Sequence, residues 1–304
     1  MAIDNFNPAL WSKAFLFNLN RKHVHADVMN RDYEGEVKHG ASVKVSSIGR
    51  VTIKDYVRNA GAGGTAASPT IAGIDRPEIL QGSSLWLLID QQKYFNFEID
   101  DVDAWQQQPK LMDKAMKEAA YAVANTTDLF CNSTIQTGVA GTTDGTGNRL
   151  DARTIGTGAG DEDAYELLVD LGVKLEENDV FDDKWVIVPP WFVGMLRKDD
   201  RFVGNGTGEN VETLKNGKIG RAAGFDIRQS NNISGATAGT LAVPGGVYTI
   251  LAGVKSAATF ADQIDKTEAF RPQDGFNDAM KGLHIYGAKV TRPYALASCA
   301  VTKA

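Results

Sequence analysis

The sequence predicts an α+β fold in which one long helix supports several strands. A segment with helical periodicity runs from Pro109 to Cys131. Several shorter segments alternate apolar and polar residues with a period of two, which is the pattern of half-buried strands. Strands and helices follow one another without a regular strand–helix–strand repeat, and this favours α+β over a doubly wound parallel sheet.

Composition restricts the classes of protein to which this chain of 304 residues can belong. Its net charge of −6 argues against a dedicated nucleic-acid binder, because phosphate contacts need a basic surface. No apolar run reaches the roughly 18 residues of a membrane helix, and no signal-peptide pattern opens the chain. The only two cysteines, Cys131 and Cys299, are expected to be buried apolar residues. We therefore expect a soluble protein of a reducing cytoplasm.

The N-terminal residues predict a short helix followed by an arm. Asn7 and Pro8 are typical of a helix start, and Trp11 and Phe15 help to make this helix apolar nearly all round. Such a helix needs burial on several sides, and a second subunit would provide it. Residues 21–40 show no clear period and are expected to form an extended arm.

Two strand patterns around a Gly/Ala/Ser-rich tip predict a long two-stranded excursion over residues 46–90. Val51 and Ile53 alternate with polar residues, and the strand pattern resumes in LWLLID from Leu85 to Asp90. An isolated two-stranded ribbon is only marginally stable in water. We therefore expect this ribbon to lie on something else, and a neighbouring subunit would suit.

The strand YFNFEID and the long helix come next. Phe95 and Phe97 share one face of the strand, opposite Tyr94. Pro109 suits the first helical position, and Met116 and Val123 belong to an apolar face with spacings of three and four. The helix indicates how the chain is built, and it gives no indication of function.

The second half of the chain predicts mixed elements. Residues 137–160 are rich in Gly and Thr and predict a boundary loop. Asp161 is the expected cap of a helix whose core face includes Leu168, Leu171 and Leu175. A buried strand from Trp185 to Val188 and a short helix, WFVGMLRKDD, follow.

Three strands and one ambiguous segment complete the prediction. Residues 203–218 form another expected loop, and strands are expected at Phe225–Ser230 and Val247–Gly253. The segment SAATFADQI fits a helix or a strand. A C-terminal strand is indicated where Leu283 and Ile285 alternate with two bulkier polar residues, His284 and Tyr286.

Glycine-rich segments do not complete a nucleotide-binding motif. GNGTGEN at residues 204–210 does not join a clear strand to a helix, and no acidic residue follows about 20 positions later. GAGG at residues 61–64 lacks the Gly-Lys-Ser/Thr of a phosphate loop. A nucleotide-dependent enzyme using residues 204–210 remains an alternative that tight ATP or NAD binding would support.

Metal binding is also not predicted, and no cofactor is expected. The best metal candidate is an acidic cluster that follows a strand and precedes a helix, so a solvated edge is the preferred interpretation. Two histidines, His23 and His25, could share one side of a strand, but no Cys or third His lies near them. The acidic cluster consists of Glu98, Asp100, Asp101 and Asp103, and the other histidines are His39 and His284.

The sequence does not predict an enzyme. No serine lies in a G-x-S-x-G elbow, and neither cysteine has a recognisable partner base. The adjacent carboxylates Asp199 and Asp200, like Glu176 and Glu177, lie in charged segments where solvation is the expected role.

Several strings in order resemble the major capsid protein of tailed double-stranded DNA bacteriophages, whose fold is shared with encapsulins and herpesvirus capsid floors. Each string is weakly specific alone, and their order along nearly the whole chain carries the resemblance. The strings are NRDYEGEV, VKVSSIG, IDQQKYFNFEIDDVD, WVIVPPWF, IGRAAGFDIRQSNN, ILAGVKSAATFADQI and KGLHIYGAKVTRP.

The resemblance implies a division of the chain. Residues 1–45 would be an N-terminal arm and residues 46–92 an extended two-stranded loop that lies across a neighbouring subunit. Residues 93–136 and 262–304 would form a peripheral domain whose long spine helix covers 109–133. Residues 137–261 would form an axial domain whose loops meet at the centres of hexamers and pentamers.

The resemblance also implies the function. Copies of the chain would assemble in the host bacterial cytoplasm into the icosahedral head shell of a virion around packaged DNA, which is bound only non-specifically. Further partners would be a portal and separate scaffolding or decoration proteins, and no membrane. The alternative within the same fold is an encapsulin-type nanocompartment shell.

The expected subunit contacts lie in the arm and the loop. Some relatives cross-link a lysine of the extended loop to an asparagine of another subunit, and Lys54 and Asn277 lie in the matching regions without a motif that fixes either. The chain begins directly with the arm, so a scaffold would be a separate protein. The predicted contact residues are Trp11, Phe15, Lys54, Tyr56 and Arg58.

Overall fold

The computed structural model describes most of the chain and all of the elements discussed below. The described residues are 24–33, 42–48, 53, 82–100, 111–141, 145–156, 161–199, 220–235, 241–242, 246–273 and 277–304. The helices are α1 (Leu111–Gly138), α2 (Ala164–Glu176) and α3 (Pro190–Lys198). The strands are β1 (Ser42–Ile48), β2 (Gly82–Leu88), β3 (Gln91–Asp100), β4 (Arg149–Ile155), β5 (Lys184–Val188), β6 (Arg221–Ala222), β7 (Phe225–Gln229), β8 (Val247–Val254), β9 (Ala258–Phe270), β10 (Asn277–Val290) and β11 (Leu296–Lys303).

These strands form a ribbon and two larger sheets. β1 and β2 pair as an antiparallel ribbon. The three-stranded sheet has the order β3-β10-β9, and the six-stranded sheet has the order β4-β11-β8-β5-β7-β6. Parallel and antiparallel pairs coexist in the six-stranded sheet, so the predicted α+β class is confirmed.

Helix α1 connects the two larger sheets. Its first half packs Met116, Val123 and Ala124 against Met280 of the three-stranded sheet. Its second half contributes Cys131 and Ile135 to the main core around the six-stranded sheet. The helix therefore crosses from one sheet to the other as a single rigid element.

The end of α1 differs from the prediction. The sequence pattern placed the helix end near Cys131, whereas α1 continues to Gly138. The apolar period weakens there because the buried face changes to polar residues, Asp128, Asn132 and Gln136. The predicted start at Pro109 lies outside the described residues.

The N-terminal segment also differs from the prediction. Residues 24–33 do not form a continuous extended arm, because Ala26–Val28 form a 3-10 helix. Ala26, Val28 and Met29 are buried in the main core. The short apolar helix predicted before this segment lies outside the described residues.

Two corrections concern strands in the six-stranded sheet. The boundary loop predicted over residues 137–160 contains β4, which pairs in parallel with β11 from the C-terminus. That C-terminal strand was assigned with residues 262–304 to the unit of β3 and β10, yet β11 lies between β4 and β8. The local sequence pattern cannot predict these pairings, because β4 and β11 are about 140 residues apart along the chain.

Other predicted elements are confirmed, some with shifted boundaries. Helix α2 begins at Ala164 with Asp163 rather than Asp161 as its N-cap, and Leu168, Leu171 and Leu175 are buried as expected. Strand β5 is buried along its length, and α3 starts at Pro190. The ambiguous segment SAATFADQI is a strand, the first part of β9 after a 3-10 turn. Residues 203–218 lie outside the described residues.

The apolar pattern predicts the buried face correctly in β3 but not in β10. Phe95 and Phe97 pack on the second cluster with α1 while Tyr94 is exposed, as predicted. In β10, however, His284 and Tyr286 are buried, whereas Leu283 is exposed. Polarity alone therefore assigns the wrong face of β10 to the core.

Candidate assembly surfaces

The ribbon of β1 and β2 is fixed to the rest of the chain through one of its faces. Val43, Leu87 and Ile89 are buried against Ala261, and Ile285 packs beside them. The register alternates, so the opposite face carries Lys44, Trp86 and Leu88. This outer ribbon face presents a large apolar surface beside a positive charge.

Trp86 dominates the outer ribbon face. It is 53% exposed, and the Lys44 ammonium lies 5.9 Å from the centroid of its ring. Leu88 is 57% exposed on the same side. Exposed aromatic residues of this size are typical of contact surfaces between proteins.

A second surface is the face of the three-stranded sheet opposite α1. Tyr94 is 79% exposed there, and Leu283 and Phe270 are also exposed. Tyr94 pairs across the strands with Leu283, and the side-chainless Gly282 lines a shallow pocket of about 390 Å³ beside them.

An ion-pair cluster borders this pocket. Glu268 accepts from Lys266 at 2.5 Å and from Lys281 at 3.1 Å, and these hydrogen bonds lower the pKa of Glu268. The Lys281 ammonium also lies 5.2 Å from the ring centroid of Phe270. Because Glu268 lies on the surface, water and salt screen these interactions. They orient the two lysine side chains but contribute little to the stability of the fold.

A third surface is a cleft of about 600 Å³ between β4 and α2. Arg153 Nη1 lies 2.8 Å from Glu162 Oε2 and 2.6 Å from Asp170 Oδ2. Burial alone would lower the pKa of Arg153, but the hydrogen bond to Asp170 and the charges of both carboxylates outweigh burial and raise that pKa. The guanidinium is thus held as a fixed cation in an otherwise acidic cleft.

A buried polar network joins the N-terminal segment to α1. Asp128 Oδ1 accepts the backbone N–H groups of Val24 at 3.0 Å and His25 at 2.7 Å. Its Oδ2 lies 2.9 Å from His25 Nδ1, which must donate because a carboxylate only accepts. Asn132 Nδ2 then donates to His25 Nε2 at 3.0 Å. The network fixes His25 as the tautomer with its proton on Nδ1.

The network extends to the segment that follows β7. Asn132 Nδ2 also donates to the carbonyl of Asn232 at 2.8 Å, and Ser234 Oγ donates to Asn132 Oδ1 at 2.8 Å. Every polar group of the Asn132 side chain is therefore used, as burial requires. Sequence reasoning missed this network, although Asp128, Asn132 and Gln136 recur every four residues along one face of a helix.

The structure also places the residues weighed for metal chemistry. His25 is committed to Asp128 and Asn132, and His284 is buried with Nε2 3.1 Å from Asp262 Oδ1. Both therefore have partners within the fold. Within the described ranges, no three His, Cys, Asp or Glu side chains come together as a metal site. Among the remaining candidates, Glu98 is exposed in β3. The described part of the chain does not include the side chain of Asp100 or the residues His23, His39, Asp101 and Asp103.

The cysteines are buried and reduced, as predicted. Burial raises the pKa of the Cys131 thiol well above its ordinary value, so this thiol stays protonated at neutral pH. Cys299 Sγ donates to the carbonyl of Asp151 at 3.3 Å. Neither arrangement suits a nucleophile, which must be an accessible thiolate.

The predicted subunit-contact residues are not in the described part of the chain. Trp11, Phe15, Lys54, Tyr56 and Arg58 all lie outside it, as does the glycine-rich segment 204–210. Asn277 is the first residue of β10, opposite Asp100 of β3. The contact residues therefore stay predictions.

Among the helices in the described part of the chain, none is both long enough and apolar enough to cross a bilayer.

Comparisons with known proteins agree with the fold. A chain from Mycobacterium phage Che8 shares 27% sequence identity and a TM-score of 0.66, covering 91% of this chain and 90% of that one. The capsid of cyanophage P-SCSP1u gives 17% identity and a TM-score of 0.61, with 88% and 85% covered. The capsid of Ralstonia phage GP4 gives 13% identity and a TM-score of 0.62, with 90% and 87% covered. No curated protein sequence matches significantly.

The family comparison is more specific than these structural similarities. Residues 87–299 match the model of a family described as phage capsid protein. That range covers more than two thirds of the 304 residues, and it confirms the resemblance carried by the ordered strings. The chain belongs to the phage capsid protein family.

Proposed function

We propose that this chain is the repeating subunit of a tailed-phage head, and that its copies form hexamers and pentamers that close into an icosahedral shell around packaged double-stranded DNA. The family match over residues 87–299 is the observation that carries this proposal. It also favours a phage head over the encapsulin-type alternative. The role is structural, and we propose no enzymatic activity.

The exposed surfaces support a protein whose main partner is a copy of itself. The outer ribbon face carries Trp86 and Leu88, and the open face of the three-stranded sheet carries Tyr94. Stable interfaces of permanent assemblies commonly bury more than about 2,000 Å². Burial on that scale outweighs the loss of translational and rotational freedom on association.

We assign the predicted domains to the observed sheets. The three-stranded sheet with the first half of α1 is the proposed peripheral domain. Residues 137–261 with the six-stranded sheet are the proposed axial domain, and the pairing of β11 with β4 and β8 supports including β11 in that domain. The N-terminal arm and the extended loop are the proposed contacts between copies, through Trp11, Phe15, Lys54, Tyr56 and Arg58.

Other partners follow from the same role. A portal and separate scaffolding or decoration proteins would join the shell, and assembly would take place in the host bacterial cytoplasm. A net charge of −6 suits a container that holds DNA without gripping it, because a strongly basic wall would bind phosphates tightly.

Negative-stain microscopy with sedimentation of the protein expressed alone tests the proposal. We expect uniform shells or rings of capsomers. Monomers that also bind ATP or NAD tightly would overturn the proposal and favour the nucleotide-dependent alternative. Shells that load a ferritin-like or peroxidase cargo enzyme through a peptide groove would instead identify a nanocompartment.

A further inference from the structure

The N-terminal segment is attached to the subunit at two separate points. At the rear, Asn30 lies beside the edge strand β9: its N–H donates to the Ala258 carbonyl at 2.8 Å, and its carbonyl accepts from Phe260 N–H at 2.9 Å. The Arg31 guanidinium lies 5.2 Å from the Phe260 ring centroid. This rear attachment resembles an ordinary strand contact.

At the front, Val24 and His25 are attached mainly through one side chain of α1. Asp128 accepts three hydrogen bonds from the segment, namely the N–H groups of Val24 and His25 and the Nδ1–H of His25. The side chains of His25 and Asp128 are both 0% exposed. Buried donors that lose their acceptor carry the full cost of desolvation. Without Asp128, Val24 and His25 would lose the acceptor of these three hydrogen bonds, while Ala26 and Val28 in the main core and Asn30 beside β9 would hold the rest of the segment in place.

The position of Asp128 is itself fixed. It lies near the middle of α1, between Ala124, which packs beside the three-stranded sheet, and Cys131 in the main core. Asn132, one helical turn later, holds the other nitrogen of the His25 ring. The front attachment is therefore fixed to α1, the helix that packs against both larger sheets.

We propose that Asp128 is a positioning residue for assembly: it fixes the place of Val24 and His25 on α1, and thereby the point from which the predicted N-terminal arm starts towards a neighbouring copy. This inference rests on the proposed function, since the arm matters only if copies assemble. A residue in α1 would then influence contacts that the arm makes with a neighbouring copy.

Hydrogen exchange of the full chain tests the anchor. In Asp128→Ala, we expect peptides covering residues 24–29 to exchange about tenfold faster or more, because several hydrogen bonds to a charged acceptor are lost. Amides of Asn30 and Phe260 should keep their protection. Asp128→Asn serves if Asp128→Ala does not fold: its neutral amide oxygen accepts the two backbone N–H groups more weakly than a carboxylate does, and the His25 ring loses its acceptor, so a smaller increase in exchange is expected.

The matched control is Asp262→Asn. Asp262 is the carboxylate of the other His–Asp pair, with His284, and no hydrogen bond or ion pair described in the structure joins it to residues 24–29. This variant should exchange normally in residues 24–29 and should form shells of wild-type diameter. The Asp128 variants should give shells of several diameters or open fragments.

The possible failures are distinguishable. Unchanged exchange of residues 24–29 in an Asp128 variant would overturn the anchor. Fast exchange together with wild-type shells would overturn the positioning role. Wild-type protein that stays monomeric and binds ATP or NAD tightly would contradict the proposed function, while the exchange data alone would still decide the anchor.

Discussion

Gly287 of β10 lies directly beneath the backbone of Leu88 in β2. A β-carbon at Gly287 would overlap the Leu88 carbonyl oxygen and come within 3.0 Å of the Ile89 α-carbon. The absence of a side chain at this position lets the ribbon cross β10 closely enough to bury Leu87 and Ile89. One glycine therefore sets how the ribbon leaves the body of the subunit.

Gly287→Ala should destabilise the protein and lift the ribbon. The added methyl group meets backbone that cannot rotate away, and overpacking of this kind typically costs about 1–3 kcal/mol. Chemical denaturation gives the free energy of unfolding, and hydrogen exchange of residues 82–88 reports the ribbon. Gly194→Ala in α3 is the control, because a β-carbon there meets nothing within 4 Å. Alanine in that helix should stabilise by about 0.5–1 kcal/mol; equal destabilisation by both changes would contradict the close crossing.

Tyr286→Phe should remove a component of alkaline unfolding. Burial raises the pKa of Tyr286 from its ordinary 10 to about 12, because the fold favours the neutral phenol. The resulting stabilisation is fully present below pH 10 and is lost as the pH rises through about 12. Unfolding free energies measured from pH 8 to 12 should therefore fall less steeply in the variant.

The same substitution should be well tolerated at neutral pH. The Tyr286 hydroxyl is buried and interacts only weakly with the Thr127 side chain, so its loss should change stability by less than about 1 kcal/mol. Tyr94→Phe, at an exposed tyrosine, is the control and should leave the pH profile unchanged. A steep alkaline fall that persists in Tyr286→Phe would assign the effect to another group.

Ala223→Gly should stabilise the hairpin of β6 and β7. Ala222 pairs with Phe225, so Ala223 and Gly224 form a two-residue turn, with φ values of 49° and 80°. Such turns prefer residues that tolerate positive φ, and a non-glycine residue there is strained by about 1–2 kcal/mol. Thermal unfolding should show a free energy of unfolding that is higher by up to about 1 kcal/mol, because relief of the strain is partly offset by the lost methyl contact. A lower melting temperature would show that the Ala223 methyl group matters more than its backbone strain.

Deletion of residues 50–82 should separate folding from assembly. The deletion removes the predicted extended loop and leaves the main core intact, so we expect a folded monomer that cannot close shells. Circular dichroism and sedimentation check the two properties independently. Normal particles formed by the deleted chain would refute the role assigned to this loop.

The face of an element was predictable where the sequence pattern is apolar. Phe95 and Phe97 of β3, Leu168 and Leu171 of α2, and the continuous run of β5 all pack as their spacing indicates. Such patterns report only which side of a helix or strand avoids water. His25, His284 and Tyr286 break this rule, since each is polar and buried.

By itself, the sequence determined the α+β class, the long helix, most strand positions and, through the ordered strings, the capsid family. Only the tertiary structure decided that β4 pairs with β11, that residues 24–29 enter the core, and that α1 continues to Gly138. In each case the deciding partner is distant along the chain: β11 for β4, Asp128 for His25, and Thr249 for Gln136 near the end of α1. Local periodicity measures the apolar face of one segment, whereas a buried hydrogen bond needs two segments that only the folded chain brings together.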